Sequence, residues 1–386
     1  MTTQDERARR SSGSRPLRPS AKVLPEHARV HNRALVLQTL YGSGQQSRAD
    51  VSRSTGLTRV TVSDLVAELM EDGLVVELGR REVAPSEGAH RGKPAILLDI
   101  DRAAFQIIGV DLGDYAVFRG AVLDLGGAVL RRAEVPLAGS TGDVASAQVV
   151  QLIERLRSEA TAPVLGIGIG SPGVVDDTGT VLSAPNLGWV DEPLQAGIAA
   201  QFSLPVVVVN DANVAVLAEH SFGDAEGDTM LVKVGHGVGA GLLLGGVQLF
   251  GSRFTAGEIG HVVVDPDGEP CSCGKRGCLE TWLAIPRLEA RLALATTCSG
   301  RDAVLREAGE RLGIALAPVV GALGLTEIVL SGPSAYFDGV LAEAVASTLR
   351  ARTMAGEVTL RLTRLGDDIV LRGAAAAVLS QQLGVS

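Results

Sequence analysis

At 386 residues and 46% hydrophobic content, the chain is long enough to fill two or three cores, which excludes a single small module. No apolar run approaches the ~20 residues that span a bilayer, and the basic N-terminus lacks the apolar stretch of a secretory signal, so a cytoplasmic protein without a membrane partner is expected. The net charge of −9 is unevenly spread: residues 1–99 carry 15 lysines and arginines against 12 carboxylates, and the remainder 20 against 32. A basic front on an acidic body fits a small DNA-reading module fused to a domain that must not cling to phosphates.

Residues 1–27, with Arg7, Arg9, Arg10, Arg15 and Arg18 among Ser, Gly and Pro, read as a flexible basic arm. Leu35, Val36, Leu37 and Leu40 give one apolar side to a helix over Ala28–Tyr41, which Gly42 and Gly44 end. Ser47 caps a short second helix that Gly56 breaks, and Thr58 caps a third that runs to about Asp72 and buries Val62, Leu65, Val66 and Leu69. Helix, glycine turn, helix is the helix-turn-helix pattern. Its third helix would present Arg59, Val60, Thr61, Ser63 and Asp64 where such motifs meet base edges.

Leu74–Leu78, the loop Gly79–Lys93 and Pro94–Ile100 follow as a two-stranded wing with a basic tip suited to phosphates or to the minor groove. The candidate contacts to double-stranded DNA are therefore Arg48, Thr58, Arg59, Thr61 and Ser63 on the helices, and Arg80, Arg81, Arg91 and Lys93 on the wing. Residues 28–100 are expected to form a winged helix-turn-helix domain.

From about Phe105 the texture changes to β-runs separated by glycine turns, in keeping with 47 glycines and only 3% aromatic residues. Strands are expected at Phe105–Val110, Phe118–Asp124, Val129–Pro136, Val164–Ile169, Val206–Val209, Met230–Val234, Ala240–Leu244 and Glu327–Leu330, with a helix from Asp143 to about Ala160. The repeated pattern implies two α/β lobes with a cleft between them, over residues 105–386.

Cys271, Cys273 and Cys278 crowd together and only Cys298 stands apart, which in a reducing compartment points to a metal and away from disulfides. With His261 the three thiolates complete a tetrahedral zinc shell without an open position, so a structural Zn2+ is expected. Asn210-Asp211-Ala212-Asn213 closes a buried strand at its carboxyl end, where α/β folds build ligand clefts. Asp211 there serves as a general base, as a hydrogen-bond acceptor, or as part of a helix cap. Gly166–Gly173 and Gly235–Gly241 are glycine turns after strands, able to approach an anion or simply to pack.

The order of these pieces resembles the ROK family, which unites bacterial repressors, open reading frames of unknown function and sugar kinases. The resemblance covers nearly the whole chain from about Ala28. It is carried by Gly168-Ile-Gly-Ser-Pro-Gly-Val-Val-Asp176, Pro185-Asn-Leu-Gly-Trp189, Asn210-Asp-Ala-Asn213, Glu219 with Phe222-Gly223, Gly257-Glu-Ile-Gly-His261, Gly277-Cys-Leu-Glu280 and Ser331-Gly-Pro333. It implies an actin-like, two-lobed sugar-kinase fold behind the winged helix-turn-helix. It also implies that Asn186, Asn210, Asp211, Glu258, His261 and Glu280 line a sugar pocket, with Asp211 matching the kinases' catalytic base.

Kinases of the family carry Asp, any residue, then Gly-Gly-Thr at the first phosphate turn, whereas this chain has Asp111-Leu-Gly-Asp-Tyr115. A carboxylate there repels the anion. His236 also replaces the usual threonine of the second turn. ATP binding is thus expected to be lost or feeble, leaving no catalytic residue and Asp211 as a vestigial base. The expected protein is a sequence-specific regulator, a repressor of sugar uptake and catabolism genes, answering to a sugar or sugar phosphate as a homodimer or homotetramer. The rival is a glucokinase-like enzyme or a bifunctional kinase-regulator.

Overall fold

The structure is a computed structural model that describes residues 25–80, 95–225, 227–354 and 358–385. The first unit comprises α1 (Pro25–Ser43), β1 (Gln46–Ser47), α2 (Arg48–Thr55), α3 (Arg59–Glu71), β2 (Val75–Arg80) and β3 (Ile96–Ile100). Ser47 Oγ accepts from the Asp50 amide while the Asp50 carboxylate accepts from the Ser47 amide, a reciprocal cap that starts α2. Gly56, at φ 71°, takes the left-handed turn that ends α2, and Thr58 then caps α3 through the Thr61 amide.

Two boundaries differ from expectation. Helix α1 begins at Pro25, inside the arm expected over residues 1–27, since a proline at the first helical position gives up no bond. The wing has a third strand, because β1 pairs antiparallel with β3; two residues are too few to show a periodicity.

The larger unit is built from two five-stranded sheets of the same plan. The first uses β4 (Gln106–Asp111), β5 (Val117–Asp124), β6 (Val129–Pro136), α4 (Asp143–Glu159), β7 (Val164–Ser171), a small sheet of β8 (Val174–Val175), β9 (Val181–Ala184) and β10 (Trp189–Glu192), α5 (Leu194–Phe202) and β11 (Val206–Asn210). Then come α6 (Asp211–Phe222), β12 (Thr229–Val234), β13 (Val238–Leu244), β14 (Val247–Gln248), α7 (Leu279–Leu283), α8 (Ile285–Leu294), α9 (Cys298–Leu323), β15 (Glu327–Ser331), α10 (Ser334–Phe337), α11 (Val340–Arg352), β16 (Thr359–Leu362) and α12 (Ile369–Leu383). In order β11-β7-β4-β5-β6 and β14-β13-β12-β15-β16, each sheet is an antiparallel meander of three strands extended by two parallel ones. This is the mixed α/β, two-lobed sugar-kinase-like fold.

Helices α6 and α12 pack together between the two sheets, and glycines let them come close. A Cβ at Gly168 would fall 2.1 Å from the Ala374 carbonyl oxygen, and one at Gly373 would fall 1.9 Å from that of Val214. Only hydrogen fits there. The outer faces are covered by α4 on the first sheet, through its own Val149, Leu152, Ile153 and Leu156, and by α9 and α11 on the second.

The N-terminal unit is not an appendage on a loose tether. Its core residues Val36, Leu40, Val62, Leu65 and Leu69 belong to one apolar cluster with Ile107 and Leu123 of the first sheet and Leu371, Ala375 and Leu379 of α12. A side chain at Gly384 would press on Ala34 of α1. The C-terminal helix therefore touches the cleft helix α6 on one side and the N-terminal unit on another. Among the described residues no helix is long and apolar enough to cross a membrane.

Candidate functional site

Strand β11 ends at Asn210 and α6 starts at Asp211, so this dyad faces the gap between the lobes. Asn210 Oδ1 accepts from the amides of Ala212 at 3.0 Å and Asn213 at 3.1 Å, while its Nδ2 donates to the Gly173 carbonyl at 2.8 Å. It is the helix cap and also the clamp on the turn after β7. Beside it lies a cavity of about 420 Å³ whose walls include Asn186, Asn210, Asp211, Glu258, His261 and Glu280. All six side chains named from the sequence thus meet at one cavity, although they are spread over 95 positions of chain. Glu280 Oε2 accepts from the Val238 amide at 3.2 Å, while its Oε1 lies 3.9 Å from Cys271 Sγ. Asn186 Nδ2 is a buried donor without a partner among the described residues. A group that a ligand would satisfy is already in place. Burial holds the Glu258 carboxyl above the ordinary carboxylate range, against the pull of His261.

One decisive residue escaped the sequence reading. Lys233, on β12, places Nζ 2.8 Å from Asp211 Oδ2, and its side chain is only 19% exposed. Asp211 Oδ1 accepts from the Ala212 amide at 2.8 Å, so both oxygens of the supposed base are engaged. A Cβ at Gly113 would lie 2.8 Å from Asp211 Oδ2, 3.1 Å from Asp111 Oδ1 and 3.2 Å from Lys233 Nζ, so the three charges converge on that glycine. Although burial alone would lower the Lys233 ammonium, Asp211 and Asp111 raise it above the usual lysine range. Burial likewise raises the Asp111 carboxyl, with Lys233 opposing. A lysine inside the apolar run Met230–Val234 was the available signal.

Beyond Lys233 a second cavity, of about 680 Å³, opens between Asp114, Arg119, His236, Ser331 and Arg364. Tyr115 from the first lobe stacks on His236 from the second, ring centroids 4.4 Å apart and planes at 23°. Arg119 approaches Asp114 at 3.7 Å. Both sequence departures therefore sit side by side and bridge the lobes.

His261, Cys271, Cys273 and Cys278 place one ligand atom each within 4.8 Å of one another. Cys273 Sγ is 3.6 Å from Cys278 Sγ, and Cys271 Sγ is 3.7 Å from His261 Nδ1. A tetrahedral ion with zinc-thiolate bonds needs ligand edges of roughly 3.7 Å, so the donor set and its spacing fit Zn2+. His261 turns Nδ1 to the thiols and Nε2 toward Glu258 Oε2, 3.9 Å away, which is how one residue serves both predicted groups.

On the N-terminal unit, the cap residue Thr58 and Arg59 and Ser63 of α3 are exposed, Thr61 is half-buried with its hydroxyl 2.8 Å from that of Thr58, and Val60 is 70% exposed. Arg48 is engaged, with Nη1 2.9 Å from Glu77 Oε1 of β2. A phosphate would have to compete with that pair. Arg80 ends β2, and Arg81, Arg91 and Lys93, like the arm up to residue 24, lie outside the described residues.

Comparison with known proteins agrees with this architecture. Residues 107–381 match the ROK family. The chain is 28% identical over 390 residues to a xylose repressor of Caldicellulosiruptor bescii, covering 91% of this chain and 96% of the relative. A glucokinase of Halalkalibacterium halodurans is 31% identical over 315 residues, covering 71% of this chain and 95% of the enzyme. Among solved structures, a ROK family transcriptional regulator, homologous to the Escherichia coli MLC protein, superposes with a TM-score of 0.79 at 25% identity, covering 93% of this chain and 98% of that one.

Proposed function

The chain belongs to the ROK family, and from that premise we propose that it is a DNA-binding repressor of sugar-utilisation genes whose kinase cleft binds a sugar effector without phosphorylating it. The observation that carries this reading is the state of the cleft: six side chains able to bind hydroxyls meet at one cavity, while Asp211, which matches the kinases' base, is held by Lys233. Asn186, Asn210, Asp211, Glu258, His261 and Glu280 offer the donors and acceptors that fix ring hydroxyls. A base must accept the hydroxyl proton, and both oxygens of Asp211 are already engaged, by Lys233 Nζ and the Ala212 amide. The stacked Tyr115 and His236, with Asp114 beside them, would crowd a phosphoryl group in transfer. The repressor relative also spans more of this chain than the glucokinase does.

His261, Cys271, Cys273 and Cys278 would hold a structural zinc ion, which contributes rigidity where Glu258 and Glu280 enter the cleft. In the DNA-reading unit, Arg59, Thr61 and Ser63 would read base edges, Val60 would meet thymine methyls, and Thr58, Arg48, Arg80, Arg81, Arg91 and Lys93 would take phosphates. A dimer supplies two such helices for half-sites about 34–36 Å apart, so a small change between subunits weakens both contacts together. Sugar closing the lobes acts on α6 and α12, and α12 packs on the DNA-reading core.

The rival reading, an active sugar kinase, is tested by ADP release over a panel of aldoses; no sugar is expected to raise it above the ATP-only background. Arg59→Ala is expected to weaken operator binding by about 1–3 kcal/mol and to relax preference at one base pair, as measured by mobility shift on operator variants. An unchanged affinity and unchanged preference would remove Arg59 from the reading face.

A further inference from the structure

At the opposite end of α6 from the cleft, a cavity of about 500 Å³ separates the sensor from the DNA-reading unit. Tyr41 of α1 forms one wall, His220 and Ser221 at the end of α6 another, and Arg372 of α12 a third. Tyr41 Oη, His220 Nδ1, Ser221 Oγ and Arg372 Nε are all buried there without a hydrogen-bond partner among the described residues. Four orphaned polar atoms at one cavity are unusual, since leaving a single such group unmet costs about 1–3 kcal/mol.

The walls also have a sign. Arg372 and Arg102 make no ion pair among the described residues, and the one carboxylate present, Asp124, spends Oδ1 on the amides of Gly126 and Ala128, each at 2.9 Å. Phe222 and Leu379 supply an apolar floor. We propose that this cavity is a second effector site, which binds a small hydroxylated organic anion, a carboxylate or a phosphomonoester. Its acid group meets Arg372 and Arg102, and its hydroxyls meet Tyr41 and Ser221. Because the cavity joins α1 to α6 and α12, its occupant alters how the DNA-reading unit is held. The binding is independent of the sugar reading given above, as the two cavities share no residue.

The test is calorimetric titration of the full chain with malate, glycerol phosphate and, as a neutral control, glycerol. Wild type and Asp211→Asn are expected to bind at least one of the two anions alike, and neither to bind glycerol. Arg372→Gln is expected to weaken that binding at least about tenfold, the loss of one charged contact. Tyr41→Phe, which removes a single oxygen and leaves the ring, is expected to weaken it severalfold. Malate alone would assign carboxylates, and glycerol phosphate alone phosphomonoesters. The proposal is overturned if neither anion binds, if Arg372→Gln and Tyr41→Phe bind as wild type does, or if Asp211→Asn abolishes binding.

Discussion

A Cys278→Ser chain is expected to retain far less zinc than the roughly one ion per chain of the wild type, and to bind its sugar effector at least about tenfold more weakly. Cys278 is fully buried and stands at the junction of two structures that enter the cleft. Its own residue bridges to Val263, and the adjacent Gly277 carbonyl accepts from the amides of Val264 at 2.9 Å and Asp265 at 3.2 Å. It is also the cap of α7, which carries Glu280. Structural zinc sites supply about 10–16 kcal/mol in small zinc-dependent peptides, and in a larger domain that free energy is spent locally, on the chain that would otherwise be loose. The turns around this centre pack Ile259, Val264, Leu279 and Leu283 into the core of the second lobe, and the metal would add a further constraint where Glu258 and Glu280 enter the cleft. Metal content by elemental analysis and effector affinity by calorimetry check the two halves. Stoichiometric zinc in the variant, or a zinc-free variant with unchanged sugar affinity, would contradict the assignment.

Lys233→Met tests the centre of the cleft. The substitution keeps length and removes charge, leaving Asp111 and Asp211 facing each other around Gly113. Breaking one side of a buried pair typically costs about 3–5 kcal/mol. At about 2–4 °C per kcal/mol, the sensor transition is expected to fall by roughly 6–20 °C at pH 8. Acid should relieve the defect. Burial already raises the Asp111 carboxyl, and Lys233 is the largest influence holding it down, so the variant's folded state binds that proton more tightly still. A group whose folded pKa exceeds its unfolded value, ~3.9 for Asp, favours folding at low pH and loses that contribution as pH rises through the folded value. The gap between variant and wild type should therefore narrow from pH 8 toward pH 5, measured by thermal unfolding at several pH values. A gap that is constant or widens in acid would show that Lys233 does not compensate these carboxylates.

The parts of this protein that were legible in the sequence are those written in local signals. Ser47, Gly56 and Thr58 punctuate α2 and α3 within a residue or so, and the alternation of apolar runs with glycine turns marked both lobes. The cleft residues were found through ordered motifs, and geometry brought all six to one cavity. What stayed hidden depends on distant pairing. Strand β1 shows nothing in isolation, because its partner β3 lies about fifty residues away. Lys233 reads as one charge in an apolar strand until Asp211 and Asp111 are seen beside it. The shared core of α12 and the N-terminal helices joins distant parts of the chain, and no window of sequence contains both.

The most direct test of the central claim is an operator titration with the full chain, in the presence and absence of a panel of free and phosphorylated sugars, run with wild type and Asp211→Asn. One sugar is expected to weaken operator binding in the wild type and to have no effect on Asp211→Asn, while neither protein releases ADP with that sugar and ATP. Operator binding that no sugar alters, or ADP release that requires Asp211, would contradict a sensor that has exchanged catalysis for control.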